Sequence, residues 1–330
     1  MPPFITDIKG IRIGHAQNDT ALTGCTVILC EKGATAGVDQ RGGAPGTRET
    51  DALRPMHLVE KAHAVLLAGG SAFGLDAAAG VMQYLEEKGV GFNTGVARVP
   101  IVPAAILFDL AIGDPKIRPN AQMGYQACQA ASSTPPSEGN VGAGTGATVG
   151  KILGMSQAMK SGIGAACMEA GNGVLVGALI AVNAFGDVID PHSNQIIAGT
   201  RTLVKGPLTI GKGAVFADTL EVMKTFAGRT ILGVIGSVNT VIGAVITNAS
   251  LSKEEVNKVA QMAQDGLALA IRPAHTMQDG DTLFALATGE KKADVNLVGA
   301  IAAQAVAEAI LHAARCAQGI AGLPSASDLS

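Results

Sequence analysis

Tryptophan is absent, and Phe 8 with Tyr 2 leaves aromatics at 3% of 330 residues. So few rings cannot build a base-stacking platform. With a net charge of -3 and a pI of about 6.1 the chain is not basic either, so no nucleic-acid partner is expected. Charge is scarce at 15% while hydrophobic residues reach 48%, the reverse of a disordered chain. Cysteine is sparse and odd in number: Cys25, Cys30, Cys128, Cys167 and Cys316, with no CxxC pair to suggest zinc. Most lie in apolar runs such as CTVILC, where cysteine acts as a small hydrophobe, so a reducing, cytoplasmic setting is expected. The opening MPPFITDIKGIRIGH has no basic segment followed by an apolar one, so no signal peptide is expected.

Glycine is abundant, with 43 residues, and the apolar segments are short. CTVILC (25–30), AVLLA (64–68), VLVGALIAVNAF (174–185), ILGVI (231–235), TVIGAVIT (240–247) and TLFALAT (282–288) read as strands covered on both faces. Residues 230–252 carry no charge across a membrane-spanning length. Ser237, Asn239 and Thr240 interrupt them, so two strands joined by a polar break fit better than a membrane helix. Ser252 and Glu255 form a capping box that starts a helix running to Arg272-Pro273. Further helices are expected from about Asp294 to Arg315 and from about Ala72 to Glu87. SSTPPSEGNVGAGTG (132–146) reads as a long loop, and no linker divides the chain into two domains. Double-sided strands with helices imply layers, sheet inside and helices outside.

Three segments could carry chemistry. GAGTGATVGK (142–151) and AGGSAFGLDAA (68–78) look like anion-binding loops, yet neither matches a nucleotide-binding pattern, and tight turns are the plainer reading. HTMQDGDT (275–282) offers His275, Asp279 and Asp281. No second cluster completes a metal set, so no metal or cofactor is expected. In extended chain Asp279 and Asp281 face one side, and two close carboxylates are costly unless a cation or hydroxyl pairs with them. Such a pair can orient an ammonium and tune proton transfer. The third segment is Asn239-Thr240. No GxSxG elbow exists and six histidines are scattered, so a Ser-His-Asp arrangement has no support in the spacing. An amide hydrolase without a histidine base can use an N-terminal threonine whose own α-amine takes the proton. That requires backbone cleavage before Thr240.

The chain resembles the DmpA-like family of self-processing aminopeptidases and amidases, which includes the nylon-oligomer hydrolases. The matching stretches are VDQRGGAPGTRETDALRP (38–55), LLAGGSAFGLDAAAGVMQYLEE (66–87), GNVGAGTGATVGK (139–151), GALIAVNAFGDVID (177–190) and the long run from Asn239 to Gly289. The resemblance implies an α/β, four-layer αββα sandwich like that of N-terminal-nucleophile hydrolases and ornithine acetyltransferases. It implies a single domain cut into an α part, 1–239, and a β part, 240–330. Thr240 matches the nucleophile, Asn183 the oxyanion-binding asparagine, Lys151 a site lysine, and Asp279 with Asp281 the site carboxylates. Lys160, in KSGIG, competes with Lys151. The implied substrates are small peptides or polyamide oligomers, and the implied state is a homo-oligomer, a tetramer or larger, with no membrane partner. Acyl transfer of the ornithine acetyltransferase type, and a non-catalytic binder on the same scaffold, are the alternative functions.

Overall fold

A computed structural model describes residues 2–205, 208–211, 215–226, 228 and 239–329. Nine strands make one sheet: β1 (Arg12–Asn18), β2 (Thr23–Gln40), β3 (Thr47–Arg48), β4 (Lys61–Ala68), β5 (Ala104–Ile106), β6 (Ile163–Glu169), β7 (Leu175–Asn183), β8 (Thr240–Ser250) and β9 (Thr282–Lys292). Their order is β6-β7-β8-β9-β2-β4-β5-β3, with β1 also on β2. The helices are α1 (Ala77–Glu87), α2 (Ala121–Ala130), α3 (Lys253–Ala270) and α4 (Val295–Arg315).

One strand turns this sheet into two leaves. The first part of β2 pairs with β1, from Asn18↔Thr23 to Arg12↔Leu29, while its end pairs with β9, from Ala287↔Thr35 to Thr282↔Gln40. Between them, the register against β4 breaks between Leu29 and Ala34, and such a break bends a strand. Ile28, Val65 and Leu67 of one leaf then pack against Leu179, Ile242, Ile246, Phe284 and Leu286 of the other. The outer face of the first leaf, with Val27, Leu29 and Leu66, carries Val81, Leu85 and Ala127 of α1 and α2. The outer face of the second, with Ile180, Val245 and Leu283, carries Val256, Leu267, Val306 and Ile310 of α3 and α4. The result is the four-layer αββα sandwich, and burial of both strand faces explains the unbroken apolar runs.

Five of the apolar runs lie in β2, β4, β7, β8 and β9. The strand expected at 231–235 lies outside the described residues. The capping box is present: the Glu255 N–H donates to Ser252 Oγ at 3.3 Å, and the Ser252 N–H to Glu255 Oε2 at 2.8 Å. α4 has the length and apolar composition of a membrane span, but 67% of that stretch is buried within the protein, where it forms part of the core. The helix expected from Ala72 begins later. Gly70 and Ser71 have φ of 81° and 55°, a 3-10 turn fills Ser71–Asp76, and α1 starts at Ala77.

α1 and α2 approach through glycine. A Cβ on Gly80 would lie 1.7 Å from the Ala121 carbonyl oxygen, and one on Gly124 would lie 2.0 Å from that of Ala77. Gly80→Ala must push the helices apart, and overpacking of this kind costs about 1–3 kcal/mol. Urea unfolding should show a midpoint lowered accordingly; an unchanged midpoint would mean that the contact gives way freely.

Candidate active site

The antiparallel register of β7 and β8 places Asn183 opposite Thr240. β9 runs parallel to β8, with Thr282 opposite Ile242, so the residues entering β9 lie beside those entering β8. A parallel bridge between Asn239 and Asp279 keeps the same register ahead of the two strands. The strand ends therefore collect Thr240, Asn183, Asp279 and Asp281, and the segment 148–151 adds Lys151. All five are buried, with 4% exposure for Thr240 and Lys151 and less for the rest.

Lys151 Nζ donates to Asn183 Oδ1 at 2.7 Å and to the Asn183 carbonyl at 3.0 Å. The same Oδ1 accepts the Thr148 N–H at 3.1 Å, while Asn183 Nδ2 donates to the Phe108 carbonyl at 3.0 Å. Donors on the oxygen and an acceptor at the nitrogen fix which way the amide points. Asp279 Oδ1 accepts the Phe185 N–H at 3.3 Å, and its Oδ2 accepts the Thr276 N–H at 2.9 Å and hydroxyl at 2.5 Å. Asp281 Oδ1 accepts the Val241 N–H at 2.8 Å, and its Oδ2 faces His275 Nδ1 at 2.8 Å. Each carboxylate thus has the hydroxyl or ring partner that burial demands.

At the Asn239-Thr240 bond, the Asn239 carbonyl accepts the Thr240 hydroxyl and, at 3.0 Å, the Gly280 N–H. A Cβ on Gly280 would stand 2.9 Å from Thr240 Oγ1 and 2.5 Å from the Ala44 carbonyl, so only glycine lets the backbone come this close. The Asn239 side chain is buried and makes no hydrogen bond among the described residues.

Burial pushes Lys151 down to about 7, against a smaller upward pull from Asp279 and Asp109. Burial, reinforced by the Asp281 charge, raises Asp279 to about 6. Lys160 is also brought to about 7 by burial, but its setting differs. Its ammonium is surrounded by the carbonyls of Gly144, Ala147 and Ser161, and it holds the turn that leads to Thr148.

In both glycine loops, amides are taken by side chains of the protein itself. The Gly70 N–H donates at 2.7 Å to Oδ1 of Asp109, and Asp109 Oδ2 accepts the Thr23 hydroxyl at 2.7 Å. The Gly142 and Ala143 N–H groups are used by Gln17 Oε1 and Thr26 Oγ1. Among the described residues no group of three or more His, Cys, Asp or Glu is placed to hold a metal, and His275 is bonded to Asp281 instead. Nothing in the sequence announces the contacts of Thr148, Thr276 and the Gly280 N–H. Thr276 and Gly280 lay inside the window already singled out for its aspartates.

A groove of about 360 Å³ along β6, lined in part by Phe4, Pro135, Glu138 and Met168, shares no residue with this cluster.

Comparison with known proteins agrees with both fold and sequence. The L-aminopeptidase D-Ala-esterase/amidase of Ochrobactrum anthropi, described as a variant of the Ntn-hydrolase fold, superposes with a TM-score of 0.68. It is 17% identical, and the match covers 98% of this chain and 90% of that one. The architecture is therefore of the Ntn-hydrolase class. The chain belongs to peptidase family S58, which it matches over residues 4–326. It is 42% identical to an uncharacterized aminopeptidase of Mycobacterium leprae, covering 97% of this chain and 92% of that protein. It is 31% identical to the 6-aminohexanoate-oligomer endohydrolase of Agromyces sp., covering 94% and 85%. The protein is a hydrolase of amide or peptide bonds.

The lowered lysines make stability depend on pH. A lysine that titrates near 7 when folded and at 10.5 when unfolded binds fewer protons in the native state over that interval. Stability must then rise with pH, on the order of 1 kcal/mol per pH unit for each such lysine. Between pH 7 and 8, below the ordinary thiol value of 9.0, urea unfolding of a Thr240→Ala chain should show this rise. Adding Lys151→Met should remove part of it; equal slopes would contradict a buried, proton-losing Lys151.

Proposed function

We propose that the protein is a self-processing hydrolase whose nucleophile is Thr240, freed as an N-terminal residue by cleavage after Asn239. The observation that carries this reading is the pair of donors on the Asn239 carbonyl: the Thr240 hydroxyl and the Gly280 N–H. In self-cleavage, Thr240 Oγ bonds to the Asn239 carbonyl carbon and the C–N bond breaks. The acyl group moves from nitrogen to oxygen, and the nitrogen keeps the proton that the hydroxyl gave up. Water then splits the ester, leaving an Asn239 carboxylate and a free Thr240 amine. Negative charge on the Asn239 oxygen would be met by the Gly280 N–H, as in an oxyanion hole. Lys151, partly neutral near pH 7, is the proposed base for this first step.

Turnover repeats the chemistry on an outside amide. The α-amine, ordinarily titrating at about 7.7–8.0, must be neutral to take the hydroxyl proton. Burial and the nearby Lys151 push it down, while Asp279 and Asp281 push it up and orient it. An acyl-Thr240 ester forms as the substrate amine leaves with that proton, and water hydrolyses the ester. Asn183 contributes its amide to the oxyanion, and Lys151 holds Asn183 in place. The names of the relatives point to linear amides of amino acids, either terminal residues of peptides or 6-aminohexanoate oligomers. Thr240 with two aspartates favours the oligomer side of that range. We place the enzyme in the cytoplasm, where its five unpaired cysteines stay reduced, as a homo-oligomer.

On a denaturing gel, wild-type protein should give two pieces, 1–239 and 240–330. Thr240→Ala should give one 33.1 kDa band and no hydrolysis of aminoacyl p-nitroanilides or 6-aminohexanoate oligomers. Asn183→Ala should lower kcat by about 10²–10³-fold. A Thr240→Ala chain that is still cut at 239/240 would remove Thr240 from the role. A product acylated on an added amine, in place of free acid, would mark acyl transfer.

A further inference from the structure

His275 takes no part in the chemistry above, yet it is bonded into the cluster. Its backbone N–H reaches Asp281 Oδ2 at 3.1 Å, and its ring Nδ1 reaches the same oxygen at 2.8 Å. It does this from a φ of 59°, a left-handed conformation that a residue with a side chain adopts only at a cost. On the other side, Asp281 Oδ1 holds the Val241 N–H at 2.8 Å. One carboxylate thus ties His275 to the peptide unit that follows Thr240. The Asp281 side chain is 2% exposed while that of His275 is 22% exposed, so the imidazole is the end of this chain of bonds that meets water.

We propose that His275 is a positioning residue of the reaction, gripping Asp281 so that the Val241 N–H, and with it Thr240, is held in the attacking geometry. This rests on Thr240 being the nucleophile. A carboxylate turning on its Cβ–Cγ bond could release the Val241 N–H; two donors fixed on Oδ2 prevent that turn. A small displacement of a nucleophile costs far more rate than binding, because the attack distance and angle are what the site supplies.

The grip also depends on charge. Burial favours the neutral ring, but the hydrogen bond and charge of Asp281, together with the Gln264 backbone on α3, outweigh it and hold the ring above its ordinary value. Arg41 opposes them, and Arg41 is itself paired with Asp39 at 2.5 Å. A raised folded value means that the extra interaction is complete at pH below about 6.5 and is lost as pH rises through the folded value. The charge-assisted part of the grip therefore weakens on the alkaline side of the activity profile, opposite the acid limb expected of the Thr240 amine, while the backbone N–H bond remains.

The test compares kcat and KM against pH for full-length wild type, His275→Ala and His275→Asn on one aminoacyl p-nitroanilide, with self-cleavage followed on gels. His275→Ala should lower kcat by up to about 100-fold with little change in KM. Asn tolerates left-handed backbone and carries an amide N–H on a side chain of similar reach, so His275→Asn should keep most of kcat and lose the alkaline limb. A merely structural histidine would lower the thermal midpoint and leave that limb in place in both variants. Wild-type kcat and an unmoved alkaline limb in His275→Ala would overturn the positioning role and leave the Thr240 assignment standing. A Thr240→Ala chain that still cleaves itself and hydrolyses substrate would instead remove the nucleophile, and the role of His275 with it.

Discussion

Lys151, Asp279 and Asp281 are buried together at the end of an apolar double sheet, and most of the local geometry follows from the need to satisfy them. An ionisable group taken out of water is tolerated only with partners at hydrogen-bond distance, and leaving such a group short of a bond costs about 1–3 kcal/mol or more. Here the partners come from three separate segments. Lys151 depends on Asn183 at the end of β7. Asp281 depends on Val241 in β8. Asp279 depends on Phe185 beyond β7 and on Thr276 ahead of β9. The cluster exists only when β7, β8 and β9 are in one register, because a slip of one residue would turn every side chain to the other face. Apolar packing on both faces of these strands supplies that register, so the sandwich core and the polar site specify each other.

That dependence separates what can be read along the chain from what cannot. Short-range signals were legible. The Ser252–Glu255 box lies within one helical turn, and the apolar runs of β4, β7, β8 and β9 mark strands covered on both sides. β2 was legible only in its first part, because its continuation through Gly33 to Gln40 loses the apolar run where the strand leaves one leaf for the other. The glycine loop at 69–70 suggested an anion from outside, and its partner proved to be Asp109, 39 residues further on. From residue types alone, the site offered an aspartate pair and a polar break at Asn239-Thr240. Asn183 and Lys151 were named through resemblance to a family. His275 reads in the sequence as a possible metal ligand. The Gly280 N–H and the Thr148 contact depend on backbone pairing, which no residue type announces.

The Asn239 carbonyl connects the uncut chain with the proposed substrate. Its oxygen already accepts the Gly280 N–H, and the Thr240 hydroxyl points at it. On the proposed chemistry, any outside amide attacked by the same hydroxyl must bring its carbonyl oxygen to the same donor. The acyl residue of a substrate then occupies the place that Asn239 holds in the uncut chain. That place suits Asn239 poorly, since its buried amide finds no hydrogen-bond partner among the described residues. An unmade bond of this kind costs about 1–3 kcal/mol. Departure of the Asn239 chain end would lift any such cost. On the proposed chemistry, such a site would cleave its own bond first. On that reading the Gly280 N–H would stay available to a substrate whose acyl side chain needs no hydrogen bond, as the methylene chain of a 6-aminohexanoate unit does not.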